Sequence, residues 1–301
     1  MIAENSLGDR LFTIFLYLMM ALLAFLCVAP FIHVISLSLS SNAAIKMGAV
    51  GLWPVDFHTQ NYQFVLKEPQ FMRSFGVSVV RVVFGVSAML IMTIMTAYPL
   101  SRDSVPMFGR TPFKMIMLFS GMFGGGLIPT YMAMRSLHLT NNFLVLILPG
   151  ALAVFSVILV MNFFRGIPVE LTEAAELDGA SHWDILFRIF LPVSLPVLAT
   201  ISLFSAVGHW NSWFDGVIYM DEIRMWPLQS YLYARVTSQM IQKSGTAAGG
   251  TAERMGQSFN ELTPEGLSTA MILVATIPIL LVYPFLQRYF VKGLTLGSVK
   301  G

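Results

Sequence analysis

"EAAELDGASHWDILFRIFLP" runs from Glu173 to Pro192, a charged segment between two long apolar stretches. Its residues spell a helix, a break and a second helix. Pro168 suits a first helical position, and Glu170, Glu173 and Glu176 favour the positive end of a helix dipole. Ala174, Ala175 and Leu177 are good helix formers. Gly179 permits a tight reversal where a side chain clashes. Ser181 caps a second short helix, with Asp184 three residues on as a capping-box partner. Trp183, Ile185, Leu186, Phe187 and Ile189 give that helix an apolar face. Pro192 is expected to stop it and open the next stretch. Such a segment is expected to lie outside the bilayer, either resting on its surface or fitting a socket on a partner.

The rest of the chain is membrane-like. Of 301 residues, 56% are hydrophobic and 11% charged, with 20 Met and 24 Phe. A soluble chain of this length carries far more charge on its surface. The net charge of +2 gives no case for nucleic acid as a partner. With Cys27 as the single cysteine, no intrachain disulfide and no cysteine zinc site can form. Asp, Glu, Lys and Arg are absent from 11–45, 82–101, 115–134, 136–164, 189–214 and 266–287. Each gap reaches the roughly 20 residues that cross a hydrocarbon core of about 30 Å. In lipid the backbone must satisfy itself, so these are helices. The fold class read from this pattern is an all-α membrane protein with six transmembrane helices, about 11–36, 73–98, 113–134, 142–164, 193–216 and 267–290. The first apolar run is too long for a signal-peptide core, and Glu4 and Asp9 flank it.

Six spans put both termini on one face, with the 99–112 loop, the 165–192 loop and the tail 291–301. The basic residues divide almost evenly between faces. Those of this face sit close to short loops, and it is read as cytoplasmic. The other face carries 37–72 and 217–266, with a Gly/Ala/Thr-rich linker at 244–252. No domain beyond this single one, 1–301, is indicated. The chain has no G-x-x-x-x-G-K-[ST] phosphate loop, no H-E-x-x-H and no G-x-S-x-G, so it is read as a transport subunit and not as an enzyme.

Glu173-Ala174-Ala175, Gly179, Ile189, Leu191 and Pro192 match, in identity and spacing, the EAA signature of ATP-binding-cassette (ABC) importer permeases. The chain resembles the carbohydrate-uptake, MalG-like branch of that family along its whole length. It is similar to the LplC/YtcP-type subunits of oligosaccharide and polysaccharide importers, a group that includes the alginate importer's second permease subunit. "LWPVDFHTQNYQFVL", "AYPLSR", "GGGLIPTYMAMRSLHLTNNFLVLILPGAL", "WNSWFDGVIYM" and "YFVKGLTLGSVKG" carry the likeness elsewhere.

The resemblance implies a MetI-like permease fold in a bacterial cytoplasmic (inner) membrane, with cytoplasmic termini. It implies that 165–192 forms a coupling helix seated in a cleft on a separate ATPase subunit. Glu173 and Asp178 then make polar contacts, and Ala174, Ala175 and Gly179 allow close approach. Trp183 and Phe187 pack into the socket or against the permease's own helices, and the tail reaches toward the ATPase pair. It implies a second permease subunit in a heterodimer, two ATPase subunits and an extracytoplasmic sugar-binding protein. No cofactor is expected on this chain, ATP and Mg being held by the ATPase. In the family's best-understood member the partner permease holds most of the sugar.

Arg81 falls inside the second span, where a charge needs a cavity or a partner. His209, Trp210, Asn211, Trp213 and Asp215 gather near the end of the fifth. Trp there forms an interfacial belt or stacks on sugar, while amides and carboxylates bind hydroxyls. Arg81, Trp210, Asn211, Trp213 and Asp215 are therefore candidates for the substrate path or for contact with the binding protein. Gly121, Gly124, Gly125 and Gly126 suggest close packing or a kink before Pro129. The competing reading is an ion-gradient-driven secondary transporter or channel. Its mark is paired carboxylates within the spans, and no span holds Asp or Glu at its middle.

Overall fold

A computed structural model describes residues 7–103, 105–243 and 263–297. The expected linker at 244–252, the end of the tail at 298–301 and Glu4 lie outside the described residues. The described residues are mostly helical, with no strand among them. Three helices are individually long and apolar enough to cross a membrane, and three bent helix pairs bring the number to as many as six.

Contacts divide the chain into two units, 1–69 with 234–276 and 70–233 with 277–301. In the first, α1 (Leu7–Ser38) has a mean hydropathy of 2.7 across its most apolar window, none of it buried. Short helices α2 (Asn42–Lys46) and α3 (Gln60–Lys67) follow. Side-chain amides hold this unit together. Asn42 Oδ1 accepts from Thr263 N at 3.0 Å and from Thr263 Oγ1 at 2.9 Å. Asn61 Nδ2 donates to Ser38 O at 3.1 Å.

The second unit is built on α4 (Pro69–Ser101). Its buried stripe is small or polar, with Ser74, Ser78, Arg81, Gly85, Met89, Thr93 and Ala97 at helical spacing. Its exposed face carries Val79, Val80, Val83, Phe84, Ile91 and Met92. That inversion of the soluble pattern suits a helix with lipid on one side and protein on the other.

Three of the remaining spans are broken, while the last begins as a continuous helix at Pro264. The sequence suggests one helix over 113–134; the chain forms α5 (Arg110–Met122) and α6 (Leu127–Ser136), bent by 117°. Gly124, Gly125 and Gly126 separate them, and Gly126 has φ +84°. Consecutive glycines end a helix because each loses the most backbone freedom on ordering. Across the expected 142–164 span, two 3₁₀ turns between Phe143 and Gly150 meet α7 (Val154–Arg165) at 47°. After α8 (Val169–Leu177), α9 (His182–Ile185) runs through a π turn (Leu186–Phe190) into α10 (Leu191–Val193). The helix therefore passes Pro192 and breaks at Ser194, bending 78° into α11 (Leu195–Asn211). Pro196 falls in the first turn of α11, where the missing N–H has no intrahelical role, and Pro192 directly follows the π turn, where the hydrogen-bond ladder is already shifted. The chain continues with α12 (Phe214–Tyr219), α13 (Leu228–Lys243) and α14 (Pro264–Gly297).

One apolar core joins these pieces. Met89, Ala97 and Leu100 of α4 meet Met117 of α5, Val157, Val160 and Phe164 of α7, Ile185, Leu186 and Phe190, and Leu198 and Ile201 of α11. Gly121 lets α5 approach the start of α7, since a Cβ there would lie 2.9 Å from Val154 Cγ1. Gly121→Leu should therefore overpack this contact and lower stability by about 1–3 kcal/mol. A drop in the thermal-unfolding midpoint in detergent reads it, and an unchanged midpoint contradicts the packing.

Candidate functional site

Two sites emerge, both in the second unit. The first is the charged segment from Glu173 to Pro192. Pro168, expected at the first helical position, is instead the N-cap of α8, one residue before Val169, and Asp178 is its C-cap. The helix ends in a Schellman motif. Ala180 N donates to Ala175 O at 2.9 Å and Gly179 N to Glu176 O at 3.1 Å, with Gly179 at φ +80°. Ser181 then caps α9. Its Oγ accepts from Asp184 N at 3.2 Å, and Asp184 Oδ2 accepts from Ser181 N at 3.2 Å. Ser181 Oγ also donates to Asp184 Oδ2 at 2.5 Å, and this bond first, then the one from Ser181 N, holds the Asp184 carboxyl below its ordinary pKa, with Arg188 assisting.

The motif splits by direction. Glu173, Ala174, Asp178 and Gly179 are exposed. Leu177 is 89% exposed, Trp183 60% and Phe187 56%. Trp183 and Phe187 stack on each other with ring centres 6.0 Å apart. Ala175, Ile189 and Leu191 pack instead against the chain's own core, while Pro192 is exposed. An exposed apolar group beside carboxylates is thus backed by a fixed interior.

Residues that sequence reasoning did not single out as functional hold this segment to the end of α4. Arg102 Nη2 meets Glu176 Oε1 at 2.7 Å. Tyr98 OH donates to His182 O at 3.1 Å, and its ring meets Phe190 edge-on at 5.2 Å. Beside them Asp103 gathers Arg165 at 3.0 Å, Lys114 at 3.3 Å and Arg110 at 3.5 Å. Desolvation opposes ionisation of Asp103, but the Lys114 hydrogen bond and the three cations outweigh it, and its pKa is lowered. The 99–112 loop and the charged segment therefore share one face, as the six-span reading requires.

The second site surrounds Arg81. It is 2% exposed, ion-paired with Asp215, and donates from Nη1 to Ser212 O at 3.3 Å. Asp215 Oδ2 also accepts from Ser212 Oγ at 2.8 Å. The pair borders an open cavity of about 400 Å³, within the usual range for small-molecule sites of about 300–1,000 Å³. One wall is the glycine break Gly124–Gly126 with the start of α6, and another is His209 with Phe214 and Tyr219. His209 sits where a Cβ on Gly85 would overlap its ring, so that glycine makes room for it.

Of the other path candidates, Trp210 is buried edge-on to Phe75 at 5.6 Å. Trp213 stacks on Tyr233 at 3.9 Å, and exposed Asn211 makes no side-chain hydrogen bond among the described residues. None of these three lines the cavity. His209, quoted in the sequence as a neighbour of Trp210, does. No cluster of His, Cys, Asp and Glu among the described residues could hold a metal.

The profile of the family described as "Binding-protein-dependent transport system inner membrane component" matches residues 1–296. The chain is 39% identical to Protein LplC of Bacillus subtilis, over 99% of this chain and 98% of that one. It is 38% identical to the polygalacturonan/rhamnogalacturonan transport system permease protein YtcP of the same organism, over 97% and 99%. It superposes with a TM-score of 0.86 on a chain of a bacterial ABC transporter involved in the import of the acidic polysaccharide alginate. That match is at 32% identity and covers 96% of this chain and all of the other.

Two outcomes follow. Asp215→Ala leaves the Arg81 guanidinium buried without its counter-ion and should cost about 3–5 kcal/mol, whereas Arg81→Met with Asp215→Leu should recover most of that loss. Thermal unfolding reads both, and an inert Asp215→Ala contradicts the pairing. The depressed Asp184 pKa makes its stabilisation complete above the unfolded-state value and lost as pH falls through the folded-state value. Amide-exchange protection at Asp184 and Ile185 should therefore decline in acid, and Asp184→Asn should abolish that pH dependence. Equal protection across the range contradicts the cap.

Proposed function

The chain belongs to the family of binding-protein-dependent transport system inner membrane components, and from that premise we propose that it is the permease subunit of an ABC importer for an oligosaccharide or polysaccharide. The observation that carries this reading is the exposed half of the EAA segment. Leu177, Trp183 and Phe187 stand uncovered beside Glu173 and Asp178 on a helix pair fixed from behind. Covering three such side chains stabilises an interface by on the order of 5 kcal/mol. The rigid backing lets displacement of the segment reach the core.

In this reading the face with the 99–112 loop is cytoplasmic, as are the termini, and the membrane is the bacterial inner membrane. The segment docks on one of two separate ATPase subunits, which bind ATP and Mg. Glu173 and Asp178 supply polar contacts, and Ala174 and Gly179 keep the surface low for close approach. Ile189 and Leu191 act from inside, by positioning the segment. A second permease subunit completes the path, and an extracytoplasmic binding protein delivers the sugar. ATP binding draws the ATPase subunits together, the coupling segments move with them, and the permease pair alternates its opening across the membrane. Acidic polysaccharides are the favoured substrate class, since similar proteins are named for polygalacturonan and alginate.

The tagged chain, extracted from native membranes in mild detergent, tests this by what accompanies it. A second six-span permease and an ATPase should co-purify. Ala174→Trp, on an exposed helical position, should keep the permease partner and lose the ATPase. A chain that emerges alone or as a homodimer, or an Ala174→Trp variant with full ATPase recovery, overturns the proposal.

A further inference from the structure

Three polar groups on the cavity beside Arg81 are unused. Asp215 places both of its bonds on Oδ2, so Oδ1 has no hydrogen-bond partner among the described residues. The two ring nitrogens of His209 and the hydroxyl of Tyr219 have none either. None of these atoms is sealed from solvent. All three residues line the same open cavity beside Phe214, Leu127 and Leu146, and an apolar-walled cavity with a few convergent polar groups is the usual form of a small-molecule site.

The chemistry of the groups narrows that ligand. An ion-paired carboxylate is acceptor-only, a neutral imidazole offers one donor and one acceptor, and a phenol offers both. The ligand must therefore donate to Asp215 while donating and accepting elsewhere, which closely spaced hydroxyls do. Asp215 Oδ1 repels an anion, and Arg81, the cation on the cavity that would attract one, is 2% exposed and already ion-paired with Asp215. Phe214, on the same wall and 39% exposed, offers an apolar face for ring C–H groups. On the opposite wall a Cβ on Gly124 or Gly126 would meet nothing within 4 Å, so the glycine break leaves room for a ring.

We propose that this cavity is a pyranose subsite within this subunit, read through hydroxyls by Asp215, His209 and Tyr219, with Arg81 as the positioning residue that fixes Asp215. It rests on the importer reading and adds that this chain, and not only its partner permease, holds a sugar unit in transit. The subsite reads ring hydroxyls and not an acid group. A uronate therefore enters it with its carboxylate turned away from Asp215.

The test is direct occupancy. In the assembled complex in nanodiscs, Cys27→Ser with Gly124→Cys leaves this chain one thiol on the cavity wall, where a side chain meets open space. Its modification rate by a water-soluble methanethiosulfonate is measured with trigalacturonate and, separately, galactotriose. At a sugar concentration about ten times its Kd, labelling should slow about tenfold. Tyr219→Phe, which removes only the hydroxyl, and His209→Ala should each weaken the protection. Protection by both sugars, or by galactotriose alone, supports the subsite. Protection by trigalacturonate alone assigns recognition to the acid group and overturns it, as does protection by neither. ATP hydrolysis stimulated by sugar-loaded binding protein is recorded on the same sample. Hydrolysis without protection sinks the subsite alone, while absent hydrolysis sinks the importer reading beneath it.

Discussion

A backbone amide in hydrocarbon must find its partner within its own helix or in protein or water beside it. That constraint governs where this chain can be regular and where it can break. Continuous α4 shows lipid an apolar face and turns a small, polar stripe inward. The breaks fall where other groups take over. Ser194 N reaches back to Phe190 O at 3.0 Å and Leu191 O at 3.1 Å. The glycines at 124–126 open onto a cavity whose lining includes Arg81, His209, Asp215 and Tyr219. A broken helix is tolerated in a membrane where it is covered or lines a cavity, so the irregular segments and the polar sites coincide.

Charge obeys the same logic. Arg81 is stable at its depth because Asp215 and Ser212 answer it. On the face of the 99–112 loop the opposite arrangement holds. Asp103 with Arg110, Lys114 and Arg165, and Arg102 with Glu176, form a network at the end of the apolar core. Exposed pairs of this kind contribute little stability singly. Their value here is geometric: with Tyr98 they fix the EAA segment against α4. In the proposed mechanism that attachment turns a push on the segment into a movement of the permease.

Much of the EAA segment was legible from local chemistry. Gly179 takes the left-handed conformation and Ser181 with Asp184 forms the capping box, because both depend on residues a few positions apart. The family and fold class were legible for the same reason, from a motif of fixed spacing and from apolar lengths. What was not legible depends on distant partners. Nothing in the composition ties Arg102 to Glu176 or Arg81 to Asp215. The inward packing of Ile189 and Leu191 follows from the π turn that rotates their part of the helix. The glycines before Pro129 were readable as a packing feature or kink, yet three in a row end the helix and make a cavity wall. Pro192 reads as a stop; placed just after the π turn it is passed, and the bend falls at Ser194.

The central claim is that the segment works because it is held rigidly to α4. Sugar imported per ATP hydrolysed, measured for the complex in proteoliposomes, tests it most directly. Arg102→Glu and Glu176→Arg should each lower that ratio while the ATPase stays bound and active, and the two together should restore it. Single variants that transport with the wild-type ratio would contradict the account, as would a double variant no better than either.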